Sequence, residues 1–147
     1  MKTTNNTQEV GGDHYQLNGD IEPVHLMVQL DLNWFQGEIL KYVSRHWNKN
    51  GKVDLQKAMH ICDMAIDFNL KYRFKTKMLK PSQEILLDNY CKQYISYYKP
   101  SALMNEEYSS VREYLNFKNI IKNIVTGYYA SVKSSIEHEI EIFYGKE

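Results

Sequence analysis

Lys41, Arg45 and Lys49 recur at four-residue steps in the stretch Phe35 to Lys49. Read as a helix, each step drifts by only about 40°, so the three cations share one ridge. Ile39, Leu40, Val43 and Trp47 then face a core. Like charges on one ridge repel, and an anion lying across them relieves that repulsion. A phosphate-bearing ligand is the first candidate. A solvated helix face accounts for the same row, since exposed Lys and Arg are common.

The elements that must hold this ridge read as helices, and the fold class expected is all-α, with about five helices, long C-terminal ones among them. A short helix starts at Pro23, where a missing N–H costs nothing, and carries Val24, Met27, Val28 and Leu30 on one stripe. Asn33 is placed to cap the next helix, Trp34 to about Trp47. Asn48 to Gly51 breaks the chain. A third helix starts near Val53 or Asp54, with Leu55, Ala58, Met59, Cys62, Ala65, Ile66 and Leu70 at three- and four-residue intervals. Pro81 closes that segment, and Ser82 caps a fourth helix reaching about Tyr98, where only Gln93 to Tyr98 also suits a strand. From Asn105 onward the apolar spacing stays helical, with a break expected at Gly127 or at Ser134-Ser135. Three parts follow: a polar arm over residues 1–12, a helical domain over 13–80, and a tyrosine-rich helical extension over 81–147 suited to assembly.

Among 147 residues, 43% are hydrophobic and 24% charged, ordinary for a soluble protein able to bury a core. No apolar run is long enough to span a membrane. The N-terminus lacks a signal-peptide pattern, and Cys62 and Cys91 lie on separate helices without metal-ligand spacing. Together these suggest reduced thiols in a cytoplasmic protein. The net charge of zero hides an uneven distribution. Residues 1–40 carry one basic and six acidic side chains, residues 41–80 ten basic and three acidic. This pattern argues for a local anion site, and a nucleic-acid-binding role is not expected. Twelve tyrosines, most of them from Tyr90 onward, favour a homo-oligomer, although core packing accounts for some.

Several chemistries have no motif here. There is no Gly-rich phosphate loop, dinucleotide fingerprint, His-Glu-x-x-His helix or nucleophile elbow, and no metal site is expected. His60 and Asp63 share a helix face, but one such pair does not fill a metal shell.

What is present, in order, is Gly11-Gly12-Asp13-His14-Tyr15, Ile21-Glu22-Pro23, Phe35-x-Gly37-x-Ile39-Leu40-Lys41-Tyr42-x-x-Arg45, Lys49, and Asp54-Leu55-x-Lys57-Ala58. This series resembles the phage SaV-like domain family over residues 10–74. That family includes the nucleotide kinase of a T7-type phage, which phosphorylates deoxynucleoside monophosphates without a phosphate loop. Many of its members have no established activity. The resemblance implies a helical oligomer that handles nucleotides in the host cytoplasm, or one associated with the virion. Where the family has Gly-Asn this chain has Gly37-Glu38, and its Arg-Ala-Gly-Lys-like segment is Arg45-His46-Trp47-Asn48-Lys49 here.

If a nucleotide binds, Lys41, Arg45 and Lys49 would hold phosphate oxygens, Arg45 in bidentate fashion. Lys57 joins them from the next helix, or pairs with Asp54 or Asp13. His14 and Tyr15 contact base or sugar, or relay a proton, or simply anchor the arm. Trp47 stacks on a base or packs in the core. Glu22 and Glu38 are the nearest carboxylates, Glu22 also suiting a helix N-terminus. His14, Lys41 and Arg45 are the catalytic candidates if phosphoryl transfer occurs, with a nucleoside triphosphate as donor. A binding module without turnover, and an assembly protein built on the C-terminal helices, are the alternatives.

Overall fold

Pro23 opens the first helix, as its fixed φ favours. The computed structural model describes residues 21–98 and 108–145. His14, Tyr15 and the expected arm lie outside the described residues. Among the described residues six α-helices occur: α1 (Pro23–Gln29), α2 (Trp34–Arg45), α3 (Lys52–Tyr72), α4 (Pro81–Tyr98), α5 (Tyr108–Thr126) and α6 (Tyr129–Tyr144). A 3-10 turn, His46–Asn48, extends α2. No strand occurs among the described residues, and Gln93 to Tyr98 is helical.

Asp31 turns the chain between α1 and α2 with a left-handed backbone (φ 52°). Asn33 then caps α2 as expected. Its Oδ1 accepts from the Gln36 N–H at 2.9 Å, and the Gln36 Oε1 accepts from the Asn33 N–H at 2.8 Å. This reciprocal box fixes where α2 begins. The helix ends two residues earlier than expected, at Arg45, because the His46 ring is drawn into contacts with α6. One further boundary also departs from expectation. Pro81 begins α4 instead of closing what precedes it, occupying the first turn where no N–H is needed. Of the two breaks expected in the long C-terminal pattern, the one at Gly127 (φ 91°) occurs, while Ser134 and Ser135 lie inside α6.

α2 lies at the centre, packed on α1, α3 and α5; α6 covers α3 and α5, and α4 flanks α5. Leu26, Leu30, Ile39, Leu40, Val43, Leu55, Ala58 and Cys62 form one continuous core with Ile120, Ile124, Val132 and Ile136. The C-terminal helices therefore complete the core around α2 and α3. Tyr90, Tyr94 and Tyr129 are buried in it, and the Tyr90 hydroxyl shares a 2.5 Å hydrogen bond with Ser44. Cys62 and Cys91 are free and buried, and burial pushes both thiols up, Cys62 to about 12.

A helix leaves its last carbonyls without partners. At the end of α5 they are met from elsewhere in the fold. The buried Gln36 Nε2 donates to the Ile124 carbonyl at 2.8 Å and the Val125 carbonyl at 3.3 Å. The Lys77 N–H donates to the Thr126 carbonyl at 3.0 Å. Gln36→Met removes the amide donors while keeping the volume. It should cost about 1–3 kcal/mol in urea unfolding, the usual penalty of stranding buried acceptors.

Asp88 joins α4 to α5. Its carboxylate meets Lys118 at 2.9 Å and Lys92 at 3.0 Å, and accepts from the Tyr114 hydroxyl at 3.0 Å. The hydrogen bond from Lys118, then that from Lys92, lowers its pKa to about 2. A depressed folded pKa means the stabilisation is complete above the unfolded carboxylate range, about pH 4, and is lost as pH falls towards 2. Asp88→Asn should cost about 1 kcal/mol at neutral pH and flatten that part of the pH–stability curve, measured by thermal melts between about pH 2 and 6.

Candidate functional site

The outer face of α2 places Lys41, Tyr42 and Arg45 side by side. The Lys41 ammonium lies 4.7 Å from the centre of the Tyr42 ring and the Arg45 guanidinium 4.8 Å from it. Lys57 reaches the same ring from α3, at 5.6 Å. Cations at these distances are attracted by the ring quadrupole, so one tyrosine gathers three positive charges. Lys41, Arg45 and Lys57 are thus brought together. Lys49 is not part of this group: α2 has already ended, and Lys49 stands exposed on the turn after the 3-10 segment.

The anion that the ridge calls for is partly supplied by the protein itself. Lys41 pairs with Glu38 at 3.1 Å, one turn back on α2. Arg45 makes a forked contact with Asp54, Nε to Oδ2 at 3.2 Å and Nη2 to Oδ1 at 3.3 Å. Asp54 stands in the first turn of α3 and is completely buried. It also accepts from the Asn50 N–H at 3.2 Å. Lys57, by contrast, has no ion pair among the described residues, with Asp54 or any other carboxylate.

Beside Lys57, a cavity of about 380 Å³ opens between α2 and α3, lined by Tyr42, Val53, Gln56, Lys57, His60 and Ile61. Its walls are mainly apolar, with Gln56 and His60 as polar groups. The volume falls in the range of small-molecule pockets. Gln56 escapes the sequence reading, and His60 enters it only beside Asp63, because neither belongs to a motif. The available signal is their register: residues 53, 56, 57, 60 and 61 share one face of α3. His60 does not combine with Asp63, whose carboxylate pairs with Lys133 on α6 at 2.8 Å. Among the described residues no three His, Cys, Asp or Glu side chains are grouped to hold a metal ion.

The turn that follows Arg45 is pinned from α6. His46 is buried; its Nδ1 lies 2.7 Å from the Tyr144 hydroxyl and its Nε2 3.2 Å from Glu139. The other Glu139 oxygen accepts from the Asn116 amide at 2.8 Å. Burial, then the charges of Glu139 and Asp54, raises the Tyr144 hydroxyl to about 12. Gly51 starts α3 with φ 57° while the Tyr144 ring lies 3.5 Å from where a Cβ would stand. Trp47 packs against Phe117 (5.1 Å), Phe143 (5.4 Å) and His46 (4.7 Å), which is the core role and not base stacking. Glu22 stands before α1, and its N–H donates to His25 Nδ1 at 2.8 Å.

A family described as a protein of unknown function, DUF3310, matches residues 10–63. This span runs from before α1 into the middle of α3 and contains Tyr42, all three gathered cations and the cavity wall. The chain is similar to that family over those residues. No curated protein and no solved structure matches it.

The arrangement can bind phosphate oxygens beside a ring-sized apolar cleft. Asp54 is the group on which its geometry rests. Asp54→Ala removes the fully buried carboxylate that the Arg45 fork meets and should cost about 3–5 kcal/mol in chemical denaturation. Replacing both partners, Arg45→Met with Asp54→Leu, should recover most of that loss.

Proposed function

We propose that this chain binds a nucleotide, or another phosphate-bearing small molecule, in the cleft between α2 and α3. One observation carries the reading: Lys41, Arg45 and Lys57 converge on Tyr42 at the edge of the cavity, with Lys57 lacking a carboxylate partner among the described residues. Lys57 meets the phosphate first, and Lys41 turns from Glu38 to join it. Arg45 stays on Asp54 and contributes field more than contact. The ring portion of the ligand lies against Ile61 and His60, and the Gln56 amide can both donate to and accept from its edge. The resemblance of the ordered motifs to the phage SaV-like domain favours a nucleotide over other phosphate esters. It also favours a phage-encoded homo-oligomer working in the host cytoplasm.

A nucleoside monophosphate kinase, with a nucleoside triphosphate as donor, is the catalytic form of this reading. Phosphoryl transfer demands mainly positioning and charge neutralisation, which clustered cations supply. Binding without turnover is favoured by Glu38 and Asp54, which already neutralise two of the three cations.

Calorimetric titration with deoxynucleoside mono- and triphosphates is the direct test. Binding should weaken about tenfold or more in Lys57→Ala, as expected for a lost charge-assisted hydrogen bond, and less in Lys41→Ala. Failure of every nucleotide to bind, or indifference to Lys57→Ala, would sink the proposal. Transfer of labelled phosphate from a triphosphate donor with magnesium separates the kinase from the binding module.

A further inference from the structure

The cations near Tyr42 are mostly compensated, but a second group is not. Residues 71–80 carry Lys71, Arg73, Lys75, Lys77 and Lys80 and no acidic side chain. None of the five makes an ion pair among the described residues. Lys77 is held by the Leu30 carbonyl and is half-buried; the other four are exposed. Elsewhere on the surface, Lys92, Lys118, Lys122 and Lys133 each face a carboxylate. Asp67, one turn before Lys71, and Asp31, next to Leu30, are not within ion-pair distance of the tract.

This tract leaves α3 at Arg73, whose left-handed backbone (φ 55°) turns the chain, and runs without regular structure to α4. Its Lys77 N–H is fixed to the end of α5, so the cations stand on an anchored segment. Aromatic rings interleave with them. Tyr72 is 58% exposed and stacks on Phe68, 44% exposed, at 5.6 Å and 26° between planes. Phe68 meets Phe35 at 5.2 Å, and Phe35 meets Trp34, 57% exposed, at 5.3 Å. Lys71 lies 5.4 Å from the Tyr72 ring. An exposed ring ladder at the end of α3 thus adjoins a fixed row of unpaired cations.

We propose that this surface binds single-stranded nucleic acid, the backbone phosphates meeting Lys71, Arg73, Lys75 and Lys80 and unpaired bases stacking on Tyr72 and Trp34. Phe74 packs inward on Phe35 and Tyr129, and the exposed Tyr72 ring between Lys71 and Arg73 suits a polymer that alternates phosphate and base. Stacking on open aromatic faces combined with a cationic track is the usual physics of sequence-tolerant single-strand binding. Leu70 and Met78 are also exposed here, and it is the stacked rings beside the cations that favour nucleic acid over an anionic bilayer. The surface is separate from the Tyr42 cleft: fourteen helical steps along α3, about 21 Å, divide Lys57 from Lys71. It also departs from the expectation set by net charge, which averages the tract away.

Fluorescence anisotropy of a labelled oligothymidylate with the full chain is the test. Binding at low salt should weaken with a log–log slope of about −3, four single-strand phosphate contacts at about −0.7 each. Arg73→Glu with Lys75→Glu should weaken binding and make the slope shallower by about 1.4. Tyr72→Ala should weaken binding at least about fivefold with the slope unchanged. Lys133→Ala, paired with Asp63 elsewhere, should leave binding as it was. The three tract positions are exposed and Lys133 is half-buried, and unchanged thermal melts verify folding. Absence of binding at low salt, indifference to the tract variants, or equal affinity for duplex DNA or anionic vesicles would overturn the proposal.

Discussion

A carboxylate with no access to water stands where α2 gives way to α3, and much of the molecule is arranged to keep it satisfied. Asp54 needs a counter-charge, and Arg45 provides one through two donors of its fork; the Asn50 N–H adds a third bond. An isolated buried carboxylate would cost several kcal/mol, and removing either partner would expose that cost. The requirement fixes the end of α2, the path of residues 46–51 and the start of α3 together. The same turn carries His46 into the protein, where Tyr144 and Glu139 hold it, so α6 closes over the junction it helps define. Because α2 and α3 are locked at this corner, Tyr42 and Lys57 meet across the groove that runs from it.

The same pair changes the meaning of the cation row. Charge repulsion along a helix shows that some anion must be near, but sequence does not say whose. Asp54 supplies it for Arg45 and Glu38 for Lys41, leaving Lys57 as the gathered cation without a carboxylate among the described residues. Buried ion pairs hold geometry at a desolvation cost, and for this chain Arg45 is best understood as a positioning group. Tyr42 then has a role that composition does not suggest. Its ring lets three cations crowd together by offering each a partly negative face.

Much of the fold was legible because local rules and tertiary packing agree. Pro23, the Asn33 cap, the apolar stripe of α3 and Gly127 each specify an element by short-range chemistry, and the structure keeps them. The departures share a cause in long-range contacts. α2 stops at Arg45 because residues nearly a hundred positions away claim His46, and no local signal carries that. Gln36 looks like an ordinary capping residue until α5 arrives with carbonyls to be met. Trp47 had two open readings, and only the placement of Phe117 and Phe143 chooses the core. At the site, Lys41 and Arg45 were legible from spacing and Lys57 from the short connector. Gln56 and His60 were not, since a cavity wall is a property of two helices and the space between them.

Charge counted over a segment and charge left over after pairing are different quantities, and the second decides what a surface can bind. Residues 41–80 hold most of the excess positive charge, yet the fold divides it unequally. Near the start of α3 the cations are answered by buried or adjacent carboxylates, and what remains suits a small ligand with few charges. Beyond Tyr72 none is answered within ion-pair distance among the described residues, and Lys77 fixes the tract by a backbone contact in place of an ion pair. A continuous helix separates the two regions, so each keeps its own electrostatic character across more than a Debye length at physiological salt. A chain with no net charge can in this way present two distinct anion-facing surfaces, one shaped as a cleft and one as an open track.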